Sequence, residues 1–277
     1  MPTAYICVTC GVQYAPSDEP PDRCAICDEP RQYVGRDGQQ WTTLQRLRAD
    51  HGADLREEEP GLLGIGVRPS FGIGQRALLV QGPAGNVLWD CVSLIDDEIV
   101  AAVQRAGGVA AIAISHPHYY ASMVEWAQRF DAPVHLHEAD RKWVMRPDER
   151  VQFWSGETLA LRQGVTLLRL GGHFPGATVA HWAAGCAGRG ALLSGDTVTV
   201  VQDRRWVGFM RSYPNLIPLP ADDVRRIAAT LAPHAFERIY GAWYGRVVAA
   251  DGAQAVARSA ERYVRALAGD FGESSRS

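Results

Sequence analysis

The sequence predicts an α/β protein with a small metal-binding appendage at its amino terminus. Three observations carry this expectation. Cys7-x2-Cys10 and Cys24-x2-Cys27 are separated by 13 residues, the spacing of two knuckles that place four thiolates around one metal. From about residue 60 onward, apolar runs of strand length alternate with amphipathic stretches of helical period. The apolar run 109–114, preceded by Gly107-Gly108, leads through Ser115-His116-Pro117-His118-Tyr119-Tyr120 into apolar residues at helical spacing, Met123, Trp126, Ala127 and Phe130. A His-x-His pair on a loop between a buried strand and a helix lies where α/β proteins place their chemistry, at the carboxyl ends of strands. Pro117 between the two histidines helps fix the bend that lets both reach one metal.

The chain has 277 residues, enough for one large α/β domain and a small module. We expect a four-cysteine metal ribbon over residues 1–40 and the larger domain over residues 41–277. With 47% apolar and 21% charged residues, the composition is that of a globular domain. A net charge of −3 argues against nucleic acid as a partner. No apolar run approaches the roughly 18 residues of a membrane span, so a membrane partner is not expected. The first residues, Met1 to Tyr5, lack the charged and apolar regions of a signal peptide. A reducing cytoplasm is therefore expected, with the six cysteines as thiols or ligands rather than disulfides.

Residues 35–40 read as a polar linker. Thr42-x-x-Gln45 reads as a capping box opening a helix to about Ala49. The charged stretch 50–59 reads as a solvated loop. Strands are predicted at 62–67, 75–80 and 86–90, and a helix at 96–106 with Ile99, Val100 and Val103 on its apolar face. A second His-x-His, His135 and His137, falls on a short strand where i and i+2 share a face; polar packing is the default reading there, as for His181. Further strands are predicted at 159–161, 165–170 and 178–182, and helices at 221–231 and 253–267. The tail after Phe271 is expected to fray. Cys91 and Cys186 are single cysteines with no pairing partner in sequence, and Cys91 reads as a small buried apolar residue.

The His116 stretch resembles the metal loop of the metallo-β-lactamase superfamily, His-x-His-x-Asp-His after a buried strand. Other motifs extend the resemblance over about residues 60 to 250. Asp90 closes Val87-Leu88-Trp89 like the strand-end Asp of the family. Gly172-His173-Phe174-Pro175-Gly176 is similar to its Gly-His-x-x-Gly loop, and Ser194-Gly195-Asp196 to its Gly-Asp motif. The resemblance implies an αββα sandwich, with His116, His118 and His173 as ligands of one metal and Asp196 as a fourth ligand or close neighbour. Tyr5-x-Cys7-x2-Cys10-Gly11-x2-Tyr14 and Pro20-Pro21-x2-Cys24-x2-Cys27 resemble rubredoxin-like knuckles over about residues 4 to 34. Such knuckles hold iron or, in zinc ribbons, zinc; four cysteines at this spacing leave both open.

The departures from the family pattern fall together. Tyr120 stands at its Asp, Ala121 at the adjacent His, and Trp243 at its last His. These positions serve a second metal, so one ion, Zn2+ or Fe2+, is expected at the His site, beside zinc (or iron) in the ribbon. A metal held by three neutral imidazoles lowers the pKa of a bound water to roughly 7. Hydrolysis of a small-molecule ester, thioester, lactone or phosphoester by the resulting hydroxide is the leading expectation. Tyr120 is then a candidate oxyanion donor and Asp196 a catalytic neighbour of the metal. His116, His173 and Asp196 also form the two-histidine, one-carboxylate set of non-haem iron oxygenases, which makes a persulfide-dioxygenase-like redox enzyme the alternative. A non-catalytic binding protein with a degenerate site is the third reading.

Overall fold

The computed structural model describes residues 2–271; the tail expected to fray lies outside them. Two sheets form the framework. The first has seven strands, Gly52–Glu59, Leu62–Arg68, Ala77–Val80, Val87–Trp89, Ala111–Ala113, Val134–His137 and Val151–Trp154, side by side in that order. Pairing is antiparallel up to Val87–Trp89 and parallel after it. The second sheet has six strands, Thr158–Ala160, Val165–Arg169, Thr178–Trp182, Ala191–Gly195, Arg238–Gly241 and Val247–Val248. There Ala191–Gly195 and Arg238–Gly241 run parallel, and the other neighbours antiparallel.

The continuous apolar runs become strands buried on both faces, because successive side chains point to opposite sides. Leu78, Val80, Val87 and Trp89 of the first sheet face Leu167, Ala180 and Leu193 of the second. Their neighbours Leu79, Leu88 and Ile112 turn outward, onto Ile99 and Val103 of helix Asp97–Arg105 and Trp126 of helix Met123–Phe130. On the far side, Leu168, Leu192 and Ile239 meet Val224 and Ile227 of helix Ala221–Leu231 and Val256 of helix Gly252–Leu267. The result is the expected αββα sandwich, with a four-cysteine cluster near its amino terminus.

Three local expectations are corrected. The charged stretch 50–59 is largely an edge strand, paired with Leu62–Arg68 from Gly52↔Arg68 to Glu59↔Leu62. Ala53 and Leu55 pack on the core while charged residues alternate with them, so a period of two was present beneath the charge. Helix Leu44–Asp50 is capped by Thr43 rather than Thr42; the Thr43 hydroxyl accepts from Arg46 N at 3.2 Å. Residues 39 and 40 are not linker. Gln39 donates to Cys7 Sγ and accepts from Cys24 N, both at 3.2 Å, Gln40 O accepts from Val8 N, and Trp41–Thr43 pairs with Tyr5–Cys7.

The first forty residues also bond into the larger body. Gln13 N donates to Ala121 O at 3.0 Å and Ala15 N to Met145 O at 3.1 Å, and Ser93 Oγ donates to Gly11 O at 2.7 Å. Ile6, Cys10 and Val12 share one apolar cluster with Leu79, Ile112 and Trp126.

Trp126 ties the helix after the His-x-His loop to the segment after Asp90: it is fully buried, and its Nε1 donates to Val92 O at 3.0 Å. Trp126→Ala removes that bond and leaves a cavity, so chemical denaturation should show a loss of about 3–5 kcal/mol.

Candidate functional site

The site is assembled where strands of both sheets end. Val87–Trp89 and Ala111–Ala113 run parallel, so Asp90 and the His-x-His loop emerge side by side. Asp90 adopts φ of 60°, its N donates to Ala113 O at 2.8 Å, and its Oδ1 accepts from Ser115 N at 2.8 Å. The family-like strand-end aspartate thus orients the loop from outside the His cluster. Asp196 follows strand Ala191–Gly195 of the second sheet. Gly195 has φ of 55°, and a Cβ there would stand 2.9 Å from Ser115 Oγ; only glycine lets this strand end approach the His loop so closely. His173 lies on the loop before Thr178–Trp182, held by Gly176 N donating to Asp140 Oδ1 at 2.9 Å. A Cβ on Gly176 would come within 2.8 Å of that carboxylate.

His116, His118, His173 and Asp196 are all buried and bring one ligand atom each within 4.8 Å of the others. His116 Nε2 is 3.2 Å from Asp196 Oδ1, His118 Nδ1 is 3.3 Å from His173 Nε2, and His173 Nε2 is 4.0 Å from Asp196 Oδ1. Donors about 2.0–2.1 Å from a tetrahedral ion stand roughly 3.3 Å apart, so the set fits one ion. Outer bonds aim the rings. His173 Nδ1 lies 3.1 Å from Met210 O, which requires the proton on Nδ1 and leaves Nε2 free to ligate. His116 Nδ1 lies 2.9 Å from Ser115 Oγ. His116 Nε2 and Asp196 Oδ1 are buried without a hydrogen-bond partner, an arrangement that a cation relieves.

The electrostatics agree. Burial first, then the neighbouring His173, push His116 and His118 well below the ordinary imidazole pKa. Burial also lowers His173 and raises Asp196, each partly offset by the other. The 3.2 Å approach of His116 to Asp196 is therefore not an ion pair; the imidazoles are neutral, the form that binds metal.

Tyr120, the expected neighbour of the metal, does not line the His pocket. It borders a separate gap with Val12, Gln13, Ala121 and Met123. The cause is the 3-10 turn Pro117–Tyr119: three residues per turn bring positions i and i+3 to one side, so Tyr119 rather than Tyr120 joins His116, with ring centres 4.5 Å apart. Burial, then the Asp196 charge, raise the Tyr119 hydroxyl well above its ordinary pKa, so it is neutral, and it is buried without a hydrogen-bond partner. Ala121 offers its backbone carbonyl to Gln13. Trp243 does line the pocket, with Nε1 donating to Ile73 O at 3.1 Å. The second His-x-His stays outside the cluster: His137 bonds Gly156 O and Ala139 N. His181 bonds Ala235 O.

At the other cluster, Cys7 Sγ lies 3.6 Å from Cys27 Sγ and Cys10 Sγ 3.7 Å from Cys24 Sγ. Ligands 2.3 Å from a tetrahedral zinc would stand about 3.8 Å apart, whereas a disulfide needs about 2.05 Å. Hydrogen bonding from Cys10 lowers the thiols of Cys7 and Cys24. Tyr14 Oη donates to Cys24 Sγ at 3.4 Å. The geometry fits a structural ribbon metal.

Residues that motif reading passed over also reach the site. Arg31 lies over the Phe174 ring at 4.4 Å. Tyr213 donates to Asp196 O at 2.7 Å. Asp140 holds the His173 loop. None belongs to a motif, and only long-range packing brings them there.

The architecture is the metallo-β-lactamase fold. A metallo-β-lactamase from Cronobacter sakazakii, in a motif-mutant form, superposes with a TM-score of 0.51 at 19% identity, covering 80% of this chain and 100% of that one. A B3 metallo-β-lactamase with an active-site glutamic acid gives a TM-score of 0.52 at 18% identity, over 94% of this chain and 100% of that one. No family model matches the sequence. The chain belongs to the same family as the uncharacterized protein YmaE of Bacillus subtilis (strain 168), with 50% identity over 265 residues, 95% of this chain and 96% of that protein.

Burial raises the Asp140 carboxyl to about 6 from 3.8. Between those values the folded state holds the extra proton, so this group's contribution to stability falls as pH rises from about 4 to 6 and is level above that. Asp140→Asn keeps an acceptor for Gly176 and cannot ionise. The stability of wild type minus Asp140→Asn, from denaturation at equal metal loading, should drop by on the order of 1–3 kcal/mol across that window.

Proposed function

We propose that the protein is a metal-dependent hydrolase with one ion at the His site and a structural zinc at the four-cysteine site. The observation that carries this is the convergence of His116, His118, His173 and Asp196, three of which line a cavity of about 260 Å³. When bound, a divalent ion such as zinc or ferrous iron supplies Lewis acidity and a water acidic enough to attack near neutral pH. His118, His173 and Asp196 line the cavity, so substrate would approach from their side, with His116 behind them. Tyr119 packs against the His116 ring, and Tyr213 holds the Asp196 backbone. Trp243 narrows the cavity where the family pattern has a histidine, which supports a single ion. The substrate would be an ester, thioester, lactone or phosphoester. His118 joins the same cluster as His116, His173 and Asp196. The donor set is therefore three imidazoles and a carboxylate rather than the two-plus-one set of iron oxygenases, which favours hydrolysis.

His116→Ala is expected to abolish turnover on a panel of generic esters, thioesters, lactones and phosphoesters, and to halve the metal content from two ions per chain to one. The Tyr119 hydroxyl is close enough to Asp196 to be raised by its charge, and Tyr119→Phe should cost about tenfold in kcat, the low end for groups behind a metal site. Tyr120→Phe should change kcat by less than about twofold, since Tyr120 lines the other gap and not the His cavity. A larger loss in Tyr120→Phe than in Tyr119→Phe would show that the roles of the two tyrosines are reversed.

A further inference from the structure

The cavity above the His cluster is walled in part by the four-cysteine module. Thr9 from the first knuckle and Gln32 and Tyr33, just after the second, line it together with His118, His173 and Asp196. This wall is fastened rather than draped. Asn215 Nδ2 donates to both Pro30 O and Gln32 O at 3.0 Å, and Ser212 Oγ donates to Arg31 O at 3.0 Å. Arg31 is ion-paired with Glu29 at 2.5 Å while it lies over Phe174. The Gln32 backbone is therefore held from both sides.

The Gln32 side chain is different. It is only 5% exposed, yet its Oε1 has no hydrogen-bond partner. A buried carboxamide oxygen left unpaired costs stability; Gln32 lines the cavity while its Oε1 is closed off from solvent, so a turn of the side chain brings the carboxamide to a ligand. Since Oε1 and Nε2 exchange by a flip of the amide, the group can accept from or donate to that ligand. Tyr33, 51% exposed, stands at the cavity mouth.

The rest of the lining narrows the ligand. Ile73, Tyr213, Pro214 and Trp243 supply apolar and aromatic surface, and among the described residues no lysine or arginine lines the cavity. Arg31, close by, pairs with Glu29 through Nη1 while its Nε has no partner, and it does not line the cavity. Tight sites for phosphate supply arginine or lysine forks, and none lines this cavity. A volume of about 260 Å³ lies just under the ~300–1,000 Å³ of drug-sized sites, so the ligand is small.

We propose that residues 30–33 of the four-cysteine module form the substrate-recognition wall of the His site, with the Gln32 carboxamide as hydrogen-bond partner of a small uncharged ester, thioester or lactone. The reaction rests on the hydrolase reading above; the binding does not. The module is then part of the active-site cavity, and its metal secures the wall on which Gln32 and Tyr33 stand.

The test uses the full chain with both sites loaded with zinc. Acetanilide serves as an inert neutral probe whose binding is followed by ligand-observed NMR. Phenyl acetate and phenyl phosphate serve as substrates. Gln32→Leu should weaken acetanilide binding about tenfold, the usual effect of losing one buried hydrogen bond. It should raise KM for phenyl acetate by a similar factor with kcat within about threefold, and leave two zinc ions per chain. Tyr33→Ala, at a half-exposed position that folding does not depend on, should weaken binding about threefold or more. Phenyl acetate should exceed phenyl phosphate in kcat/KM. Unchanged acetanilide affinity in both variants, no acetanilide binding to wild type at millimolar concentration, or preference for phenyl phosphate would each overturn the proposal. Gln32-dependent binding with no turnover of either ester would overturn the hydrolase reading alone and uphold the wall.

Discussion

Four buried polar donors meeting at the junction of two sheets are the constraint on which this structure turns. His116 Nε2 and Asp196 Oδ1 stand 3.2 Å apart with no hydrogen bond to satisfy either, and His118 and His173 face each other with neutral rings. Such a cluster is costly to bury unless a cation sits among the lone pairs. Much of the surrounding architecture serves to hold it together: Asp90 on the loop of His116, Met210 O on the ring of His173, Asp140 on the Gly176 turn, and glycine at position 195, where a side chain would collide with Ser115.

The same logic operates in the amino-terminal ribbon with softer donors. Four buried sulfurs approach as metal ligands do, and Gln39 and Tyr14 bond to them from behind. A stretch of forty residues has too little core to fold by itself, and this one shares its apolar residues with the first sheet. The two ligand clusters are thereby joined mechanically. Cys27 closes one cluster, and a few residues later Gln32 and Tyr33 face the other.

Much of this was legible in the sequence because it is local. Strands such as Ala77–Val80 and Ala191–Gly195 are unbroken apolar runs, and the Cys-x2-Cys pairs and the His116, His173 and Asp196 motifs carry their spacing with them. What escaped depends on geometry or on distance along the chain. The orientation of Tyr119 against Tyr120 was decided by a single 3-10 turn, which position in a motif does not encode. The edge strand Gly52–Glu59 hid its Ala53–Leu55 alternation beneath charged residues. The contacts of Pro30–Gln32 with Ser212 and Asn215 span about 180 residues, and no local pattern announces them.

The most direct measurement is zinc-edge X-ray absorption on metal-replete protein with the metal content counted. Two ions per chain and a mixed shell are expected, with sulfur near 2.3 Å from the four-cysteine site and nitrogen or oxygen near 2.0–2.1 Å from the His site. One ion per chain with a pure sulfur shell would contradict this.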